Sequence, residues 1–291
     1  MANTFLTPSI IAKEAMDVLR ANAVMANLVH RDYSDDFVGA VGDTITVRKP
    51  ATFVANEYNA SQGLTVQDAT ETGVQVQLNK HLDVSFAVTS KQLTLNIEDF
   101  SKQLLVPAMQ AFADKIDAYL IGLQSSVTNR VAHASGAVTT ADIIAARKFL
   151  VDAKAPTTDR RFVYGSNVEA DLLATDLFIH ADQVGDNGTA LREASLGRKY
   201  GMDFYCDQNV VKDSGVTPAI AFHKNAFALV TRQLALPQGA ANSYTTSYDG
   251  FGLRVVMGYD MDKKTDTISI DMLCGVAVLD KNLAAVINDA R

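Results

Sequence analysis

The chain is poor in the residues that staple small secreted folds or hold metal clusters. It has two cysteines, Cys206 and Cys274, among 291 residues, too few for a disulfide framework or a zinc cluster, so a reducing compartment is expected. It lacks an excess of positive charge as well: 26 Lys plus Arg stand against 33 Asp plus Glu, a net charge of −7. Gripping phosphates relies on clustered Lys and Arg, so this balance argues against a dedicated nucleic-acid binder. The start, Met-Ala-Asn-Thr-Phe, does not have the basic and then apolar layout of a signal peptide. No uncharged apolar run approaches the roughly 18 residues needed to span a bilayer. What is present is a globular composition, 48% apolar and 20% charged, at a length that fits about two domains.

Motifs that carry chemistry are also missing. The phosphate-cradling and dinucleotide glycine patterns are absent, as is the H-E-x-x-H metal motif. His30, His81, His133, His180 and His223 are scattered and read as surface or capping histidines. Ser166, after Tyr164-Gly165, lacks the second glycine of a nucleophile elbow and reads as a helix cap. The segment from Asp182 to Glu193 has the outline of a calcium loop, but Val184 and Asn187 stand where an oxygen ligand and a glycine are needed. Asp260, Asp262 and Asp266 around Lys263 and Lys264 read as a charged hairpin turn. The basic dipeptides Arg147-Lys148, Arg160-Arg161 and Arg198-Lys199 read as solvated faces and inter-subunit pairs. No catalytic, cofactor-binding or metal site is expected, and no enzyme.

The order of elements is unusual for a mixed α+β chain. A first segment to about Ser34 carries a short helix with Ile10, Ile11, Ala15, Val18 and Leu19 at helical spacing. Asn22 and Asn27 interrupt that pattern, and so little apolar surface needs another part of the fold, or a neighbour, to pack on. Ile45 and Val47 alternate with polar residues, as do Val74, Val76 and Leu78, and then Val84, Phe86 and Val88. Between Lys49 and Gly73 lies a long stretch of Asn, Gln, Thr, Ala and Ser. Loops of that length are functional or projecting, so the flanking strands predict a long hairpin that leaves the body without a core of its own.

Leu105, Met109, Phe112, Ile116, Tyr119 and Leu123 then predict a long helix, with Gln110, Asp114, Lys115 and Asp117 on other faces and Pro107 starting or kinking it. Beyond it, helices are expected at 140–153 (apolar side Ile143, Ile144, Phe149 and Leu150), 166–173 and 191–196. Strands are expected at 161–164, 202–205, 219–222, 227–230, 253–259 and 267–273, with a polar stretch after Pro237 and apolar runs at 276–279 and 283–287.

Several blocks carry a family resemblance: Leu6–Ala15, Val24–Ser34, Gly42–Pro50, Leu93–Ser101 with Pro107-Ala108, Gly275–Asp280 and Ala285–Ile287. Together with the order of elements they resemble the major capsid (coat) proteins of tailed bacteriophages, with the Hong Kong 97-type fold. The local match is nearest to the coat proteins of short-tailed Salmonella phages. The resemblance implies an N-arm at 1–35, an E-loop hairpin with flanking peripheral strands at 36–92, a spine helix at 93–130, an axial domain at 131–250, and C-terminal strands of the peripheral domain at 251–291. It implies hexamers and pentamers of one chain tiling an icosahedral shell that encloses double-stranded DNA without sequence-specific binding. It further implies a virion location, assembly in the bacterial cytoplasm, a portal, and no membrane or cofactor. A separate scaffolding protein is expected because the chain starts directly with the arm. The hairpin would lie across a neighbouring subunit, with Arg48, Lys49, Phe53, Glu57, Tyr58, Leu64 and Val66 as candidate inter-subunit contacts. Deleting Thr52 to Thr72 is expected to leave a folded body that no longer forms shells. Two alternatives are an encapsulin-like compartment sharing the fold and, more remotely, a metal-dependent α/β enzyme.

Overall fold

The computed structural model describes residues 8–31, 44–49, 53, 55–57, 72–89, 101–131, 136–175, 178, 196–210, 217–239, 242–248 and 250–289. Among these, two main sheets carry the body. In the first, β10 (Asn242–Tyr248), β11 (Phe251–Asp260), β12 (Thr265–Val278) and β3 (Lys80–Thr89) lie in that order, all antiparallel, and β9 (Phe227–Arg232) pairs the far end of β12. The strand expected at 267–273 is seen, with Ile268, Ile270 and Met272 buried. The run 276–279, expected as a separate element, is instead the continuation of β12, whose Gly275–Val278 residues pair with β9.

The second sheet runs β4 (Arg130–Val131), β13 (Ala284–Asp289), β8 (Thr217–His223), β5 (Arg160–Tyr164), β7 (Met202–Cys206) and β6 (Arg198–Lys199). Its pairs β4–β13 and β5–β7 are parallel and the rest antiparallel. Because successive strand residues face opposite ways, this sheet feeds two cores. Val163, Ile220, Phe222 and Val286 join the core beneath the first sheet, while Phe162, Tyr164, Ala221 and Ile287 join one covered by helices.

Helix α1 (Pro8–Asn22) buries Ile11, Ala12, Ala15, Met16 and Leu19 in the first core. The arm therefore docks on its own chain, although Ile10, expected on its apolar side, is half exposed at 50%. A short helix α2 (Met25–Leu28) follows, so Asn27 does not break the pattern; its amide instead donates to the carbonyls of Arg20 and Ala23. The long helix α3 (Val106–Gly122) packs Met109, Phe112, Ile116 and Leu120 inward. A π-helical turn over Ser101–Leu105 leads into it, and Pro107 sits in its first turn, where no N–H is required. Two corrections concern its faces. Asp117, expected toward solvent, is fully buried. Tyr119, expected in the core stripe, is half-buried, with the ammonium groups of Lys80 and Lys115 over its ring at 5.4 and 5.3 Å.

Helices α4 (Thr140–Asp152) and α5 (Ser166–Leu173) cover the second sheet through Ile143, Ala146 and Leu150, and through Val168 and Leu172. Ile144, expected in that core, points outward at 49% exposure, because Ile143 and Ala146 already fill the inward rows. Ser166 is not a cap: Gly165 occupies that position, held where an added Cβ would meet the Val210 carbonyl at 2.7 Å. The Arg160-Arg161 pair is not a solvated face. Arg160 is 4% exposed and donates to the carbonyls of Pro156 and Ala155 at 2.7 and 2.6 Å. Arg161 donates to the Leu28 carbonyl. Strand β10 falls in the stretch expected to be merely polar; its Ser, Thr and Tyr residues hide the period-two signal, and pairing with β11 makes the strand. The expected helix at 191–196 and the loop at Asp182 lie outside the described residues, apart from Leu196, which is buried and non-helical.

Candidate assembly interface

The strands flanking the expected hairpin form a two-stranded ribbon. Strand β1 (Thr44–Lys49) pairs antiparallel with β2 (Thr72–Gln77), Thr44 opposite Gln77 and Lys49 opposite Thr72, and β1 has no other strand partner among the described residues. Alternation gives the ribbon one apolar edge of contact. Val47, Val76 and Leu78 pack against Ala228, Val230 and Leu279 in a small third core, while Thr44, Thr46, Gln75 and Gln77 are exposed. Gly275 makes this approach possible, and Gly73 makes room within the β1–β2 pair. A Cβ on Gly275 would strike the Gln77 carbonyl and come within 3.3 Å of Leu78 Cα, and one on Gly73 would strike Thr46 Cγ2. Strand β12 and the root of the ribbon thus meet backbone to backbone.

The sequence-predicted contact residues separate into three groups. Arg48 and Lys49 stand at the end of β1 away from β3, their Cα atoms opposite Gly73 and Thr72. Phe53 is 64% exposed and Glu57 is exposed. Tyr58, Leu64 and Val66 lie outside the described residues. The structure therefore places Arg48 and Lys49 at the ribbon end and leaves Phe53 and Glu57 exposed.

Sequence reasoning missed two other exposed apolar sites. The β11–β12 turn presents Met261 at 81% and Tyr259 at 52% exposure. The expected charged turn is there: Asp260 Oδ1 accepts from the N–H groups of Asp262 and Lys263 at 2.9 and 3.2 Å. The outer row of α4 presents Ile144 and Val151, the latter at 48%. A methionine embedded among charges was the one sequence signal for the first site; spacing seven residues apart was the signal for the second.

The fold behind the ribbon is pinned by charge. Asp271, 5% exposed, accepts from Arg254 Nε at 2.9 Å and from Arg254 Nη2, and lies 3.4 Å from His81 Nε2. This ties β11, β12 and β3 together across one face. The described side chains offer little for catalysis. Among them no group of three His, Cys, Asp or Glu can hold a metal ion. Burial pushes both the Cys274 thiol and the Cys206 thiol up to about 12, the latter helped by the Glu169 charge, so neither is a thiolate at neutral pH. No helix among the described residues is long and apolar enough to cross a membrane.

No protein-family model and no curated protein matches the chain. Solved structures do. A chain of Mycobacterium phage Che8 is 20% identical, with 91% of this chain and 90% of that chain covered and a TM-score of 0.69. The capsid structure of the cyanophage P-SCSP1u is 16% identical, covering 87% and 85%, at a TM-score of 0.59. The holo-SrpI encapsulin complex from Synechococcus elongatus PCC 7942 is 14% identical, covering 85% and 82%, at a TM-score of 0.51. The chain has the Hong Kong 97-type capsid fold, an α+β architecture.

Proposed function

We propose that the chain is the major capsid protein of a tailed bacteriophage, copies of which assemble as hexamers and pentamers into an icosahedral head around double-stranded DNA. The observation that carries this reading is the ribbon. It buries Val47 and Val76 against Ala228 and Val230, while Phe53, past the end of β1 in the chain, is 64% exposed. Such a hairpin is marginal in water, and a neighbouring copy lying under it supplies the missing surface. The fold adds support, since the likenesses include a cyanophage capsid.

In this reading residues 1–35 are the N-arm, 36–92 the E-loop hairpin with peripheral strands, 93–130 the spine helix, 131–250 the axial domain and 251–291 the returning peripheral strands. Arg48, Lys49, Phe53, Glu57, Tyr58, Leu64 and Val66 contact the next subunit. The partners are further copies, a separate scaffolding protein, a portal and the enclosed genome. Kinship to the short-tailed Salmonella phages rests on the sequence blocks at both ends of the chain. The net charge of −7 suits a wall along which DNA slides without sticking. The protein resides in the virion after assembly in the bacterial cytoplasm and catalyses no reaction.

A second reading, a cellular compartment shell, is favoured by the likeness to the encapsulin complex. Electron microscopy of the purified chain, with its scaffolding partner if required, tests both. Closed icosahedral shells are expected, and monomers under all assembly conditions would contradict either reading. Shells isolated from the native source should hold DNA; an enclosed enzyme in place of DNA would favour the compartment.

A further inference from the structure

We propose that the segment joining β1 to β2 in one copy, residues 50–71, docks on a basic corner of the next copy, built around the outer row of α4. The inference rests on the proposed shell and names the surface that one copy offers the next.

The corner is assembled from three places in the chain. The last turns of α4 lead through a loop into β5, a 3-10 turn at Lys224–Ala226 follows β8, and another at Lys281–Leu283 follows β12. Backbone bonds hold these pieces together. Lys224 N–H donates to the Asp159 carbonyl at 3.1 Å, and Asp280 N–H donates to the Ala226 carbonyl at 3.2 Å. The turn at Lys281 also packs on α4. Arg160 stands opposite His223 across the β5–β8 pair, one residue short of Lys224. From α4, Arg147 comes near enough for its charge to act on Arg160, whose pKa is lowered by burial and then by that charge.

Residues 147–161, 224–226 and 280–283 carry seven Lys and Arg against three Asp, in a chain whose net charge is −7. Two of the three carboxylates are engaged. Asp159 lies 3.8 Å from Arg161, and Asp280 accepts from Asn282 N–H at 3.0 Å. Asp152, at the end of α4, is exposed. Among the described residues, Arg147, Lys148, Lys154, Arg160 and Lys281 make no ion pair. Arg160 is buried and its acceptors are the neutral carbonyls of Ala155 and Pro156, so its charge still adds to the potential outside. On α4 the outward residues are Ile144, Arg147, Lys148 and Val151, all exposed. Their spacing of three and four puts them on one face, with cations in the middle and aliphatic side chains at both ends.

Residues 50–71 complement that face. They hold Glu57, Asp68 and Glu71 and not one Lys, Arg or His, a charge of −3. They also hold Phe53, Tyr58, Leu64 and Val66, and Phe53 and Glu57 are both exposed. An acidic strip with bulky apolar residues thus meets a basic face with aliphatic ends. The charges steer the encounter and fix its register, since like charges facing each other are costly. Ile144 and Val151 supply apolar surface to bury. Two aliphatic side chains gain nothing from phosphates, which favours a protein strip over nucleic acid as the occupant.

Two charge-reversed chains test this by shell formation, scored by electron microscopy beside the original chain. One carries Arg147→Glu and Lys148→Glu; the other carries Glu57→Lys, Asp68→Lys and Glu71→Lys. Each should unfold within about 4 °C of the original, yet each alone should give at least about tenfold fewer shells. Mixed in equal amounts, the two should recover shells, because each then offers the sign the other lacks. A segment lying on its own chain's corner would not be rescued by a second chain, so failure to recover would overturn the inference. Normal shells from either variant alone would overturn it too and leave the capsid reading standing; if those of the first variant held less DNA, the corner would belong to nucleic acid. No shells from the original chain would overturn both. Should either variant fail to fold, the single changes Lys148→Glu and Glu57→Lys take their place, with loss apart and recovery together again expected.

Discussion

The first helix and the ribbon that follows it are both thin in bulky apolar residues, yet they end in opposite situations. Helix α1 buries five side chains, Ile11, Ala12, Ala15, Met16 and Leu19, under its own chain. The ribbon buries Val47 and Val76 at its root and leaves Phe53 open. What separates them is not the amount of apolar surface but the surface on offer nearby. Alanines at 12 and 15 let α1 sit close to α3, β10 and β11, so small residues become core. The ribbon alternates Val with Thr and Gln, which gives it one narrow apolar edge, and Ala228, Val230 and Leu279 of its own body cover Val47, Val76 and Leu78 on that edge. The arm is covered by its own chain along five residues, and the described ribbon along one edge.

The sharpest way to break this contrast is to cut into each region in turn. Leu19→Ala should cost about 2–5 kcal/mol in urea unfolding, the loss expected for a filled core position. A loss under about 0.5 kcal/mol would mean that α1 is loosely held after all. Gly275→Ala comes next. Its methyl group would enter the space of the Gln77 carbonyl, and an overpacked contact of this kind costs about 1–3 kcal/mol. The loss should be local, seen as faster amide exchange in residues 72–78 with α4 unaffected. The smallest effect on folding is expected at the far end: Phe53→Ser should change subunit stability by less than about 0.5 kcal/mol. The same change should lower the yield of shells in an assembly assay, so folding and assembly come apart at this residue.

How far the sequence could be read depended on whether a signal was local. Strands β2, β3 and β12 were legible because Val76, Phe86, Ile268 and Ile270 alternate with polar neighbours. The length and position of α3 were legible for the matching reason, three- and four-residue spacing of Met109, Phe112 and Ile116. Strand β10 was not, since Asn242-Ser-Tyr-Thr-Thr-Ser-Tyr248 is polar on both faces and is made a strand by its partner β11. Asp117 was misplaced because a carboxylate on a helix normally marks the wet side. Only the N–H groups of α2, some ninety residues away in sequence, give it a reason to be inside. Arg160 and Arg161 failed in the same way, each satisfied by backbone carbonyls that no spacing rule reveals. Of the seven candidate contacts, the ribbon position of Arg48 and Lys49 and the exposure of Phe53 and Glu57 followed from reading the hairpin; chemistry between subunits is not written in one chain.

The most direct test replaces residues 50–71 by a two-residue Asn-Gly turn joining Lys49 to Thr72, which already face each other across the ribbon. Electron microscopy and thermal unfolding of this variant are then compared with the full chain under the same assembly conditions. The shortened body should unfold within about 4 °C of the original and form no closed shells. Shells of normal size from the shortened chain would contradict it.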